Sequence, residues 1–196
     1  MRARTSTIRR KTRETDIAVT VKLDGTGKYQ VDTGIGFLNH MLELFSRHSL
    51  IDLTVKAKGD LKVDEHHTVE DIGICLGAAL RQSLGDKKGI ERYGFLLPMD
   101  EALAEAAIDL GGRACLVWNA SFKREKIGDM PTELFEDFFK AVADNLQANI
   151  HINVKYGRNE HHIAESIFKA LARALRNAVS RDKRAKDLLP STKGKL

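Results

Sequence analysis

The sequence of 196 residues is poor in cysteine, proline and tryptophan, with two, three and one of each. Cys75 and Cys115 lie in apolar stretches without a Cys-x-x-Cys spacing, which argues against a disulfide framework and a thiolate metal site. We expect both to be small core residues of a protein in a reducing compartment. No apolar run approaches the roughly 20 residues that cross a bilayer, and the basic N-terminus lacks the apolar stretch of a secretory signal. These absences predict a cytoplasmic protein with no membrane partner.

The net charge of +5 raises the question of a nucleic-acid partner. Much of the basic excess lies at the two ends of the chain, without the aromatic residues that usually accompany nucleic-acid recognition. We therefore expect no nucleic-acid partner, and we interpret the excess as solvated surface or as sites for a small phosphate-bearing substrate. The basic residues of the ends are Arg2, Arg4, Arg9, Arg10, Lys11 and Arg13, then Arg181, Lys183, Arg184, Lys186, Lys193 and Lys195.

A five-residue pattern, His-His-x-x-Glu, occurs twice in the chain. It spans 66–70 and recurs 95 residues later at 161–165. Each residue of a helix advances by about 100°, so the first His and the Glu share a face and the second His points elsewhere. Adjacent imidazoles are costly to bury without a shared partner, which argues against a purely structural role. The doubled pattern predicts paired metal sites.

The ligand types restrict the metal and its use. The candidate ligands are six of the seven histidines of the chain, four of them in the patterns, and the two glutamates of the patterns. The set contains no thiolate, and it fits manganese, iron or zinc. Three imidazoles and one carboxylate per ion leave open positions on a six-coordinate metal, which indicates catalysis or substrate binding. The spacing does not decide whether one chain supplies all the ligands.

The chain predicts an α+β fold with two pseudo-symmetric β-β-α-β-α halves that arose by internal duplication. No linker rich in proline, glycine or serine separates them, so we expect a single domain over 1–196. Its halves span about 8–90 and 91–180, and a C-terminal tail spans 181–196. Alternating residues predict hairpins over 17–31 and 106–118. Helical spacing predicts helices over 35–50, from the first pattern to Leu84, over 134–146 and from the second pattern to about Val179, with strands over 51–57 and 150–154.

Two other function classes fit parts of these patterns. A dinuclear metallohydrolase acting on phosphate esters would also use two cations and a basic rim, although such enzymes generally use more Asp and fewer His. A non-enzymatic shell that stores metal or binds nucleic acid would account for the histidines and the charge. Phosphate release from a simple phosphomonoester would identify the first, and salt-dependent oligonucleotide binding the second.

Four segments resemble the imidazoleglycerol-phosphate dehydratase family of histidine biosynthesis, and the resemblance extends from about Arg10 to Lys195. The segments span 34–42, 64–71, 98–103 and 159–165. The resemblance implies a monofunctional manganese enzyme with two Mn²⁺ per active site. Such an enzyme removes water from imidazole glycerol phosphate and gives imidazole acetol phosphate. It also implies a homo-oligomer, a 24-subunit shell with sites at subunit interfaces.

The resemblance also implies roles for particular residues of this sequence. Glu14 corresponds to an acidic residue that binds substrate and handles protons, and Glu70 and Glu165 are the other catalytic candidates. The implied metal ligands are His40, His66, His67, Glu70, His151, His161, His162 and Glu165. The other implied substrate-binding residues contact the phosphate of the substrate, and they are His48, Arg92, Arg113, Lys169, Ser191 and Lys193.

Two positions depart from the family pattern. Leu44 stands where many members have a glutamine that helps to hold phosphate, so affinity is expected to depend more on the Arg and Lys residues. Asn39 stands where aspartate is frequent, which removes a possible charge beside His40. The roles of Asp100 and Glu101 stay open on the sequence alone.

Overall fold

A computed structural model describes residues 3–94, 97–182, 185 and 188–194. Among the basic residues of the two ends, Arg2, Lys183, Arg184, Lys186 and Lys195 lie outside the described residues.

The first half forms a four-stranded sheet covered by two helices. Its elements are β1 (Thr5–Lys11), β2 (Thr15–Lys22), β3 (Tyr29–Asp32), α1 (Gly36–Ser49), β4 (Asp52–Gly59) and α2 (His66–Leu84). The strand order is β1-β2-β4-β3. β2 pairs antiparallel with both β1 and β4, whereas β3 pairs parallel with β4.

The second half repeats this plan with extra short strands. Its elements are β5 (Tyr93–Gly94), β6 (Leu97–Met99), β7 (Ala102–Asp109), β8 (Cys115–Asn119), β9 (Lys126–Ile127), β10 (Met130–Pro131), α3 (Leu134–Leu146), β11 (Asn149–Tyr156) and α4 (Glu160–Val179). The order is β5-β7-β11-β8, with β6 also paired to β7. β11 pairs antiparallel with β7 and parallel with β8. The α+β fold with two similar halves is therefore confirmed.

The two predicted hairpins are wrong in their pairing. β2 and β3 do not pair with each other, because β4 lies between them, and β11 separates β7 and β8 in the same way. The connection from β2 to β3 is too long for a tight hairpin turn. This connection is held by Asp52 of β4. Asp52 Oδ1 accepts hydrogen bonds from the backbone amides of Thr26 (2.7 Å) and Lys28 (3.0 Å).

The hydrophobic core is continuous across both halves. Each sheet buries one face against the helices, as the alternating burial of β2 and β7 shows. Cys75 is buried as expected, but Cys115 is exposed, because the first position of β8 points away from the helices. Among the described residues, no helix is both long enough and apolar enough to cross a membrane.

Candidate metal centre

Both His-His-x-x-Glu patterns lie in the first turn of a helix, α2 and α4. An Asx side chain two residues before the first His caps each turn. Asp64 Oδ1 accepts from the amide of His66 (2.9 Å), and Asn159 Oδ1 accepts from the amide of His161 (3.0 Å). Such caps satisfy amides that have no partner within the helix, so they fix the start of each helix and the orientation of its histidines.

The two histidines of each pattern point in different directions. The rings of His66 and His67 are 6.0 Å apart with an interplanar angle of 82°. The rings of His161 and His162 are 6.1 Å apart at 88°. The nearly equal geometry supports the internal duplication, and each pattern faces two separate surroundings.

His161 faces α1 and forms a candidate metal site with His40 and Glu165. One ligand atom from each of the three residues lies within 4.8 Å of the other two. The rings of His40 and His161 are 5.7 Å apart, and His161 Nε2 lies 3.8 Å from Glu165 Oε2. Two imidazoles and a carboxylate at this separation fit a divalent transition metal by donor type and by spacing.

A cationic group lies beside this candidate site. Lys169, one helical turn beyond the buried Glu165, places its Nζ 2.8 Å from Glu165 Oε1. His48, in the last turn of α1, has its pKa lowered by burial and by the positive charges of Lys169 and Arg173, against the opposing effect of Glu165. The structure therefore brings together His48 and Lys169, two of the expected phosphate-binding residues.

His67 of the first pattern lies between two carboxylates. Its Nδ1 is 3.1 Å from Asp60 Oδ2, and its Nε2 is 3.9 Å from Glu14 Oε2. The hydrogen bond with Asp60, and next the charge of Glu14, raise the pKa of His67 against the effect of desolvation. Glu14, Asp60 and His67 form the second group of close ligand atoms within the described part of the chain.

Asp71 holds the turn that carries Glu14. The buried Asp71 accepts a hydrogen bond from Thr15 Oγ1 (2.5 Å) and pairs with Arg10 Nε (2.7 Å). Within the turn, Thr12 Oγ1 accepts from the amides of Glu14 and Thr15. Asp71 follows Glu70 directly on α2, so the turn from β1 to β2 is tied to the helix that bears the first pattern.

His162 is oriented by Glu101. His162 Nδ1 lies 2.7 Å from Glu101 Oε2, and Glu101 Oε1 accepts from the amide of Asn159 (2.8 Å). The hydrogen bond with His162 is the largest cause that lowers the pKa of Glu101 to about 2. A carboxylate on Nδ1 fixes the ring and leaves Nε2 available, which is the usual support of a metal-binding histidine. Asp100 lies farther off, with Oδ2 4.0 Å from His162 Nε2.

Besides His162, three expected ligands join neither cluster of close ligand atoms found among the described residues. His66 Nδ1 lies 3.7 Å from Asp137 Oδ2 of α3, and Glu70 is exposed. His151 is exposed on β11, at the register position opposite Ala107 of β7 and Val117 of β8. His151 therefore lies on the sheet face that points away from the helices.

The remaining phosphate candidates lie in two places. Arg92 pairs with Asp109, and its Nη1 donates to the carbonyl of Pro190 (2.9 Å), next to Ser191. Ser191 Oγ accepts from the amide of Lys193 (3.2 Å). Arg113 is exposed in the loop between β7 and β8. The contacts of Arg92 thus bring it close to the segment that holds Ser191 and Lys193, whereas Arg113 does not share these contacts.

The two unusual positions have structural explanations. Asn39 Oδ1 accepts from the amide (2.9 Å) and hydroxyl (2.7 Å) of Thr33, so it fixes the turn before α1. Leu44 is partly buried and packs against the core.

Comparisons with known proteins identify the family. The family model described as imidazoleglycerol-phosphate dehydratase matches residues 33–175. The chain belongs to the imidazoleglycerol-phosphate dehydratase family. The expected resemblance is thereby confirmed, and so is the prediction that the chain is an enzyme.

Individual relatives agree over nearly the whole chain. The imidazoleglycerol-phosphate dehydratase of Granulibacter bethesdensis is 58% identical over 98% of this chain and 99% of its own length. That of Methylorubrum extorquens is 57% identical over 98% and 100%. The Staphylococcus aureus dehydratase structure has a TM-score of 0.82 at 41% identity, covering 91% of this chain and 99% of that one. The Pyrococcus furiosus structure, in complex with (S)-C348, has a TM-score of 0.81 at 35% identity, covering 96% and 100%.

Sequence reasoning missed the roles of three carboxylates near the site. It did not identify Asp60 or Asp71, and it did not show that Glu101 orients His162. Asp71 adjoins the first pattern and could have been suspected from its position. Asp60 and Glu101 are separated in sequence from the histidines they bind, so no local spacing indicates them.

The contact of Asp71 generates a first prediction. We expect Asp71→Asn to lower the free energy of unfolding by about 1–3 kcal/mol, because it removes the charge from buried hydrogen bonds. Turnover should fall as well, since the turn that carries Glu14 loses its anchor. Urea denaturation and a steady-state assay measure the two effects.

Asp16→Asn is the matched control for that variant. Asp16 pairs with Lys11 beside the same turn, but both side chains are exposed, so we expect a change within about 0.5 kcal/mol. Equal effects of the two substitutions would contradict the anchoring role of Asp71.

Proposed function

We propose that this chain removes water from imidazole glycerol phosphate to give imidazole acetol phosphate in histidine biosynthesis, with two Mn²⁺ ions per active site. The observation that carries the proposal is the grouping of His40, His161 and Glu165 in a member of this family. The family supports the reaction class, and the ligand group supports the proposed metal-dependent chemistry.

The donor set supports a catalytic metal. His40, His161 and Glu165 supply two nitrogens and one carboxylate, which leave positions for further ligands and for substrate on a six-coordinate ion. Bound divalent ions would stabilise negative charge on the imidazole ring of the substrate and on the departing hydroxyl. Zinc binds such donors more tightly than manganese, so the metal in use depends on supply as well as on affinity.

A homo-oligomer would complete the ligand sets. His151 lies on the outer face of the second sheet, while the two patterns lie at the starts of helices on the other side. A second copy of the chain can bring such a residue to the site, which agrees with the 24-subunit assembly implied by the family resemblance. We therefore propose that each active site draws ligands from more than one copy.

Glu14 is the residue that moves a proton in this proposal. The reaction removes a hydroxyl from the carbon attached to the ring and a proton from the neighbouring carbon. A carboxylate can serve as the general base or acid for such transfers. Glu14 is held near His67 by the turn that Asp71 anchors, so its carboxylate has a defined place beside the first pattern. Glu70 and Glu165 serve as ligands in the same site.

The phosphate of the substrate would be bound by cations at the edge of the site. Lys169 and His48 lie beside the His40 group, and Arg92 lies near Ser191 and Lys193 through the Pro190 carbonyl. Arg113 is proposed for the same role. Fixed cationic donors suit phosphate, and arginine can bind two of its oxygens at once.

The proposed cellular setting is the cytoplasm, with no nucleic-acid or membrane partner. An exposed free cysteine, Cys115, and a buried free cysteine, Cys75, are typical of a reducing compartment.

The direct test is an assay of the full-length protein with imidazole glycerol phosphate before chelation, after chelation and after return of Mn²⁺. We expect turnover to disappear with the metal and to return with it, because the proposed charge stabilisation depends on the ions. Full activity after the metal content has been shown to reach zero would contradict the proposal.

Glu14→Gln separates proton transfer from binding. The amide keeps the size of the side chain but cannot take up the proton, so we expect turnover to fall by about 100-fold or more. Mn²⁺ content and substrate affinity, measured by calorimetry, should stay close to those of the unchanged protein. Retained turnover would remove Glu14 from this role.

A further inference from the structure

The segment between β8 and α3 is longer than its counterpart in the first half. Fourteen residues, 120–133, join β8 to α3, whereas three residues, 33–35, join β3 to α1. Because the first half builds the same sheet and helix arrangement with the short connection, the additional length is not required by the fold. We call residues 120–133 the connecting segment.

The connecting segment contacts the starts of three helices. Asp129 binds the first amides of α1, and Lys126 Nζ lies 3.9 Å from Glu65 Oε1 before α2. The amide of Lys123 donates to Glu160 Oε2 (3.2 Å) at the start of α4. These three helices carry every expected metal ligand except His151. The segment therefore links the elements on which the metal sites depend.

Asp129 provides the cap that α1 lacks in its own sequence. The N-cap residue of α1 is Ile35, whose side chain makes no capping hydrogen bond. Asp129 Oδ2 accepts from the amide of Gly36 (2.6 Å), and its Oδ1 accepts from the amide of Phe37 (3.0 Å). Burial opposes the charged form, but these amides outweigh it and lower the pKa of Asp129. A carboxylate at this end also complements the helix dipole.

The connecting segment is itself fixed in place. Ile127 and Met130, on either side of the turn between β9 and β10, are buried in the core. Thr132 closes the base of this hairpin, with its Oγ1 donating to the carbonyl of Arg124 (2.7 Å) and its amide to that of Glu125 (2.9 Å). Asp129 is thus held by the second half while it binds a helix of the first half.

The capped turn of α1 leads directly to the metal ligands. Phe37, whose amide binds Asp129, packs its ring at 5.3 Å from the ring of His161 in a T-shaped contact. Its ring is also 6.5 Å from that of His40, which lies one helical turn beyond Gly36. A shift at the start of α1 would therefore change the separation of His40 from His161 and Glu165.

We propose that Asp129 is a positioning residue that fixes the start of α1 and thereby places His40 beside His161 and Glu165. This inference rests on the proposed metal-dependent function, because its consequence is a change in metal affinity. Residues that orient metal ligands without touching the ion commonly change metal affinity by about 10–100-fold when they are replaced.

The test measures Mn²⁺ binding by electron paramagnetic resonance on the full-length protein, freed of metal and titrated with Mn²⁺. We expect Asp129→Ala to lower the Mn²⁺ affinity of one class of sites, the class that includes His40, by about 10-fold. The affinity of the other class should change less. Asp129→Asn keeps a hydrogen-bond acceptor, so its Mn²⁺ affinity should lie between that of Asp129→Ala and that of the unchanged protein. Turnover of Asp129→Ala should be low at limiting Mn²⁺ and recover largely at saturating Mn²⁺.

Asp52→Ala is the matched control. Asp52 also accepts from two backbone amides, those of Thr26 and Lys28, but it lies at the start of β4 near the end of α1 that is opposite to the cap. We expect this variant to bind Mn²⁺ as the unchanged protein does, even where its unfolding temperature falls by the same amount.

The possible results distinguish a failure of the proposed function from a failure of the positioning role of Asp129. If the unchanged protein binds no Mn²⁺ and works without it, the proposed function is wrong. If it binds Mn²⁺ but Asp129→Ala has unchanged affinity, or loses no more than Asp52→Ala, the positioning role is wrong. Where Asp129→Ala does not fold, the same comparison with Asp129→Asn decides between these outcomes.

Discussion

Two adjacent histidines at the start of a helix diverge by about 100°, and the site depends on this divergence. His161 faces α1 and joins His40 and Glu165, whereas His162 faces Glu101. The histidines of the first pattern also point to different neighbours, His66 toward Asp137 and His67 toward Asp60. Each pattern therefore serves two surroundings, and a metal set of three imidazoles and a carboxylate needs contributions from beyond one pattern.

The fold could be predicted from the sequence as far as its elements, but not their pairing. Apolar spacing placed α3 at its observed limits, and the predicted end of α2 at Leu84 is also the observed end. Spacing shows which face of a strand is buried, yet it does not name the neighbouring strand. The connection after β2 is held by Asp52 of β4, the strand that pairs with both β2 and β3. Only the folded chain reveals such a contact.

The candidate site was predictable where a pattern repeats and not where a single carboxylate acts. The doubled pattern identified four histidines of the site, and the family resemblance added His40, His151 and Glu14. No spacing rule links Asp60 to His67 or Asp129 to the start of α1. Asp71 stands beside the first pattern, but that position does not indicate its bonds to Thr15 and Arg10. These carboxylates share one physical role, which is to hold a residue of the site, its turn or its helix in place through hydrogen bonds.

A Mn²⁺ anomalous diffraction map of crystals of the metal-loaded protein tests the two-metal site most directly. We expect two ions per chain. One should be bound by His40, His161 and Glu165, and the other by residues of the first pattern, with His151 supplied by a neighbouring copy. Ions located away from both patterns, or patterns of neighbouring copies far apart with no ion between them, would contradict the proposed two-metal site.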